Sequence, residues 1–313
     1  MKNLSFKLWV VVLTLGTICT PRVYAQTEEQ SSMYMFNPLL FNPAYAGSRG
    51  TIHGVGIARF QWVGIEGAPM SQFVSFDAPV ANQNLGLGLH LSNDKIGARS
   101  RTSVFADISY GLKLNKKGDR LAFGMSAGAD WQVYDFNKLY TLDPADPASS
   151  YYASKVRPNF GAGLYYYGER FYAGVSIPRL LRNRLGSGAI IGEALQRRHF
   201  YVTGGYVVKV SSVVDFKPSA LVKISENAPI TFDLNANFLF FKTLWIGPSY
   251  RFNESVGANV AVQIKEFMSF GYAFDFPING LNAFRTNQRG THEIMISFDL
   301  KTKKKPYISP RYF

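Results

Sequence analysis

Apolar and polar residues alternate with a period of two along most of the chain. In residues 85–91 (LGLGLHL), Leu85, Leu87, Leu89 and Leu91 share one face, and Gly86, Gly88 and His90 share the other. Val104, Ala106, Ile108, Tyr110 and Leu112 alternate in the same way with Phe105, Asp107, Ser109 and Gly111. Leu121, Phe123, Met125, Ala127, Ala129 and Trp131 alternate with Gly124, Ser126, Gly128 and Asp130, and Ile230, Phe232, Leu234, Ala236 and Phe238 with Thr231, Asp233, Asn235 and Asn237. A period of two places successive side chains on opposite faces of a strand. Fourteen such runs predict strands near 54–63, 70–79, 85–93, 101–114, 121–133, 159–167, 170–177, 199–210, 215–224, 230–240, 244–252, 255–264, 267–275 and 291–300. Many are close to the nine to eleven residues (roughly) with which a tilted strand crosses a bilayer. Residues 180–195 leave room for one short helix.

Alternation by itself fits a β-sandwich or a membrane barrel, because both bury one face. The apolar faces here carry almost no charge, whereas a sandwich needs solvated outer faces. Aromatic residues gather at strand ends, as in Tyr165-Tyr166-Tyr167, Phe171-Tyr172 and Phe240-Phe241, matching interfacial girdles. The longest connections, 134–158, 178–198 and 276–290, follow the fifth, seventh and thirteenth strands and fall on one side. Connections after even-numbered strands are mostly short, such as residues 115–120 (NKKGDR). The expectation is an all-β chain: a transmembrane antiparallel β-barrel of about 14 strands. Its long loops would face outward, with both chain termini periplasmic. An even strand count closes the sheet and removes its edges.

Composition agrees. Of 313 residues, 18% are charged and 15% aromatic, against about 25% charged in ordinary soluble domains. This excludes a disordered chain. Residues 1–25 read as a signal peptide: Lys2 and Lys7, then an apolar stretch (8–18), then Val23-Tyr24-Ala25 as cleavage site. Residues 26–50 read as a periplasmic N-terminal segment, 51–300 as the barrel and 301–313 as a basic tail. Cys19 lies in the signal, so the mature chain has no thiol. Net charge is +13 overall and +10 without the signal, half of it in the tail. Export makes nucleic acid a poor counterpart. Lipid phosphates, peptidoglycan acids or an acidic protein fit better.

Phe36-Asn37-Pro38 recurs as Phe41-Asn42-Pro43. Asn-Pro favours turns, and Pro keeps the preceding residue out of the helical region. Two such turns make a compact lead-in, either a plug in the barrel mouth or a docking surface. Candidate partner-binding residues are Phe36, Asn37, Pro38, Phe41, Asn42 and Pro43, with Asp233, Asn235 and Asn237 on the lumen wall. That wall is either simple solvation or a peptide-binding surface. His90 and Ser92 share a strand face, but no Gly-x-Ser-x-Gly elbow accompanies them and no enzyme is expected. Asp143 and Asp146 fall short of a calcium ligand set. Gly86, Gly88, Gly161 and Gly163 precede no helix and serve close strand packing rather than phosphate binding. No cofactor or metal is expected.

Residues 33–47 (MYMFNPLLFNPAYAG) resemble the opening of the PorP/SprF family of type IX secretion and gliding-motility membrane proteins. Similar stretches are Gln61-Trp62-Val63-Gly64, 92–97 (SNDKIG), 218–223 (PSALVK), 233–238 (DLNANF), 244–247 (LWIG), 271–275 (GYAFD) and 310–313 (PRYF). The resemblance implies an outer-membrane barrel serving type IX secretion, near the periplasmic ring and peptidoglycan-linked components. For SprF-like members it implies pairing with a secreted adhesin through that adhesin's C-terminal domain. A diffusion porin or small-solute transporter is the alternative, and a lipid-modifying barrel enzyme a further rival.

Overall fold

The computed structural model describes residues 29–80, 84–138, 150–184, 196–226, 228–278 and 289–300. Fourteen antiparallel strands form one sheet, each beside its sequence neighbour. They are β1 (Ile52–Phe60), β2 (Met70–Val80), β3 (Leu85–Ile96), β4 (Arg99–Lys113), β5 (Arg120–Asp135), β6 (Tyr152–Tyr167) and β7 (Phe171–Ile177). Next comes β8 (His199–Tyr206), continued after Val207 by Val208–Lys209. The last six are β9 (Val214–Ser225), β10 (Thr231–Phe240), β11 (Leu244–Arg251), β12 (Ser255–Ile264), β13 (Met268–Pro277) and β14 (Thr291–Leu300). The sheet closes where β1 meets β14, from Ile52 opposite Leu300 to Phe60 opposite His292. No described helix is long and apolar enough to cross a membrane; the strands form the wall.

The break in β8 has a local cause. Both halves pair with β9 in one register, and the gap falls opposite Pro218, which has no N–H to give. Strand β6 begins at Tyr152, seven residues before its expected start. The expected connection 134–158 covers that stretch. The ladder to β5 instead continues to Asp135 opposite Tyr152. Residues 180–184, at the start of the expected short helix, are not helical, and 185–195 lie outside the described residues.

The two faces separate as the alternation predicts. Leu87, Leu89, Val104, Ile108, Phe123, Met125 and Val175 are exposed on the outside, while His90, Asp107, Ser109, Ser126, Asp130 and Asp233 are buried toward the lumen. The girdle reading needs a correction. Phe171 and Phe241 point outward, but Tyr165, Tyr167 and Tyr172 are buried inside. Residues 165 and 167 share a face opposite 166, so this run belongs half to the lumen. A cavity of about 900 Å³ indents the outer wall between outward-facing Ile108, Phe123, Met125, Leu164, Val175 and Val202.

Odd-numbered strands finish at one end of the barrel, the loop end. The short turns after even-numbered strands lie at the other, with exposed Lys113, Lys116, Lys117 and Lys242. An apolar belt predicts a depth-dependent cost for charge. Ile108→Lys should lower refolding stability in lipid vesicles by about 2–4 kcal/mol if Ile108 lies near mid-belt. Lys116→Glu, on a short turn, should change it by less than about 0.5 kcal/mol. Equal effects would contradict a lipid-facing belt.

Candidate functional site

The lumen is occupied by the chain's own N-terminal segment. Residues 29–51 run through it from the loop end to the short-turn end. At the loop end Glu29 accepts bonds from Ser92 Oγ and Arg101, both at 2.9 Å. Ser31 Oγ donates to Glu293 at 2.6 Å, and the backbone N–H groups of Ser32 and Met33 donate to the same carboxylate at 2.9 Å. Arg59 bridges Asp275 and Glu293 at 3.0 Å each and donates to Ser32 Oγ, which in turn donates to Asp275. Arg59, Asp275 and Glu293 are all buried. Charges removed from water persist only when paired and hydrogen-bonded, and this cluster meets that demand.

Midway, the Asn-Pro pairs start two short 3-10 turns, Pro38–Leu40 and Pro43–Tyr45, each with Pro in its first turn. Asn42 caps the second: its Oδ1 accepts from Ala44 N at 3.0 Å, and its Nδ2 donates to Leu164 O at 3.0 Å. Ser75 Oγ donates to Asn37 Oδ1 at 2.7 Å, and Ser176 Oγ to Phe41 O at 2.7 Å. At the short-turn end Ser109 Oγ donates to Ala46 O at 2.6 Å and Gly47 N to Asp77 at 2.8 Å. Arg49 closes the path on Asp299 at 2.9 Å.

The wall is shaped for this segment. A Cβ on Gly86 would sit 2.0 Å from Ala46 O, and one on Gly124 would sit 2.1 Å from Ala44 N. Only hydrogen at those positions lets the two backbones meet. The inward tyrosines gather at Tyr45, whose ring centroid lies 5.7 Å from that of Tyr165. Lumen pockets beside Ser32, beside Glu29 and beside Phe41 hold about 10 Å³ each, about one water at most.

Every candidate residue of the two motifs lies inside. Phe36 is half-buried and meets Trp245 edge-on at 6.2 Å. Asn37, Pro38, Phe41, Asn42 and Pro43 are buried, with Phe41 tilted against Tyr201 at 5.2 Å. On the wall, Asp233 pairs with Lys223 at 2.7 Å and Arg251 at 3.2 Å, and its carbonyl accepts from Tyr34 OH at 3.3 Å. Asn235 accepts from Asn259 at 3.3 Å, and Asn237 is buried beside Gly247. Sequence reasoning missed Glu29, Arg59, Arg101, Asp275 and Glu293. The last four carried a signal, charge on the inward face of an alternating strand, whereas Glu29 precedes the strands.

Glu29 is held at the loop end and Leu300 ends β14 at the short-turn end, so the two described chain ends lie at opposite mouths. The chain termini, expected in the periplasm, lie outside the described residues. His90 and Ser92 are spent on structure: the His90 ring bonds Asp107 at 2.8 Å and stacks on Phe105, while Ser92 donates to Glu29. Among the described residues no three acidic, His or Cys side chains could hold a metal ion. Asp143 and Asp146 lie outside them.

The family described as "Type IX secretion system membrane protein PorP/SprF" matches residues 23–298. None of the curated proteins matches the chain. Among solved structures, the Acinetobacter baumannii outer membrane protein Omp33 is similar at 9% identity, covering 82% of this chain and 100% of that one, with a TM-score of 0.43. The Escherichia coli outer membrane phospholipase A is similar at 9% identity, covering 82% and 99%, with a TM-score of 0.36.

Two outcomes test the site. Gly124→Leu should unseat the segment and open the lumen, raising single-channel conductance in planar bilayers at least roughly tenfold over the wild type; unchanged conductance would mean the wall tolerates the side chain. Arg59→Ala strands two buried carboxylates, and should cost about 3–5 kcal/mol of stability in refolding measurements.

Proposed function

The chain belongs to the PorP/SprF family of type IX secretion system membrane proteins, and we propose that within that machinery it works as a closed receptor rather than a pore. In this reading it binds, without catalysis, the C-terminal domain of a secreted adhesin at the loop-bearing mouth of an outer-membrane barrel. The observation that supports it most is the filled lumen. Among the described residues, the lumen pockets beside Ser32, Glu29 and Phe41 each have room for about one water, so this reading turns to the two mouths as the usable surfaces. A partner that draws on the N-terminal segment would engage Phe36, Asn37, Pro38, Phe41, Asn42 and Pro43 by pulling them from their seats near Asp233, Asn235 and Asn237.

The short-turn mouth favours a second set of contacts. Lys113, Lys116, Lys117 and Lys242 are exposed just beyond the apolar belt. They present the chemistry that inner-leaflet phosphates, or an acidic peptidoglycan-linked machinery subunit, would meet. In this reading the short turns face the periplasm, and Glu29 sits at the outer mouth.

Co-purification from native membranes, with partners identified by mass, tests the function. Secreted adhesin or type IX components are expected. A partner-free protein that conducts ions would overturn the receptor reading. Cysteine labelling tests the orientation, since the mature chain has no thiol of its own. A membrane-impermeant maleimide on intact cells should label Lys138→Cys and spare Lys116→Cys; the reverse pattern inverts the barrel.

A further inference from the structure

Strands β5 and β6 rise above their neighbour. Their ladder runs from Arg120 opposite Tyr167 to Asp135 opposite Tyr152, whereas β6 meets β7 only from Tyr167 opposite Tyr172 to Ala162 opposite Ile177. Beyond Ile177 the chain leaves the sheet. It covers β6 as far as Pro158, with Leu180 N donating to Phe160 O at 2.8 Å and Asn183 Nδ2 to Pro158 O at 3.0 Å. Among the described residues, 152–157 have a strand partner on the β5 side only.

The direction of the unused groups follows from the ladder. Phe136 N donates to Tyr151 O, so odd-numbered residues here turn N–H and C=O toward β5. Tyr152, Ser154 and Val156 turn theirs the other way. Pro158 obeys the same rule: its missing N–H falls on the edge side, where a strand tolerates proline. Sixteen residues in β6 at about 3.4 Å each and tilted about 45° rise roughly 38 Å, against an apolar belt of about 25 Å. The upper stretch therefore stands at and above the membrane surface, beside outward-facing Trp131, which donates to Ser154 Oγ at 2.8 Å.

The two faces of this edge differ. Tyr152 and Val156 point outward and are 60% and 68% exposed. Lys155 and Arg157 point toward the lumen side, and Arg157 Nε and one terminal nitrogen are buried without a hydrogen-bond partner in the described structure. Lipid tails cannot satisfy backbone groups. A second copy paired edge to edge would stack Lys155 and Arg157 against like charges.

We propose that residues 152–157 are a strand-addition site for an extended segment of the secreted partner, apolar on one face and acidic on the other. That segment pairs with Tyr152, Ser154 and Val156 and continues the sheet where β7 stops. The proposal rests on the receptor reading above and names the seat of its partner.

Hydrogen exchange on the full-length protein in micelles tests it, with a capped Val-Glu-Val-Glu-Val peptide as probe and Val-Lys-Val-Lys-Val as control. The glutamate peptide should slow exchange at Tyr152, Ser154 and Val156 at least tenfold, and the lysine peptide should not. Ser154→Pro should abolish the effect and keep the folded barrel's heat-modifiable migration, whereas Ser154→Ala, which loses only the Trp131 bond, should retain it. Amides already protected in the protein alone, equal response to both peptides, or protection surviving in Ser154→Pro would each overturn the proposal. In native membranes, loss of the secreted partner from Ser154→Pro supports it. Retention overturns it and leaves the receptor reading standing. If the wild type brings down no type IX partner, that reading fails by itself, and the peptide experiment decides the edge alone.

Discussion

Backbone N–H and C=O groups in a bilayer have no water to bond, and this one constraint shapes the molecule. A sheet can meet it only by closing on itself. The β1–β14 seam completes the ring and lets each strand present a greasy face outward without a bare edge at membrane depth. Once the ring is closed, the polar faces must point inward, and the remaining question is what fills the space they enclose. In small barrels side chains suffice. A ring of fourteen strands is wider and needs something more.

Here the filling is covalently attached. The segment 29–51 brings its own turns, its own hydrogen-bonding groups and a buried carboxylate, Glu29. The wall answers with hydrogen where backbone meets backbone, at Gly86 and Gly124, and with arginines where carboxylates meet carboxylates. Wall and filling read as one packed interior rather than a vessel and its contents. The hydrophobic cluster around Met33, Phe41, Tyr201 and Trp245 has the character of a soluble core turned outside in.

The strands were legible in the sequence because a period of two is strong when one face meets lipid and the other meets protein. All fourteen lie where alternation put them, apart from the upper reach of β6, which falls in the expected connection 134–158. Pro158 is tolerated in that strand because the rule against proline holds for a paired N–H, and this one faces no strand. The inward tyrosines misled because clustering says "interface", but parity decides the face. A plug in the barrel mouth was one reading of the N-terminal segment, but its path from mouth to mouth was not legible. It depends on contacts such as Ser31 with Glu293, 262 positions apart, and on which mouth the first residues enter. The glycines carried a partial signal, since close approach was readable but not the partner that approaches.

Residues 29–51 pass end to end through a ring whose last seam joins the first strand to the final one. The seam therefore cannot zip up around an empty bore and be filled later without pulling a free chain end through the hole. The inner segment has to lie in place while the last strands come together, serving as the former on which the cylinder is wound. Folding in the membrane thus waits for the whole polypeptide, and a tightly folded domain fused ahead of Glu29 would block threading through a closed ring but leave this winding route open.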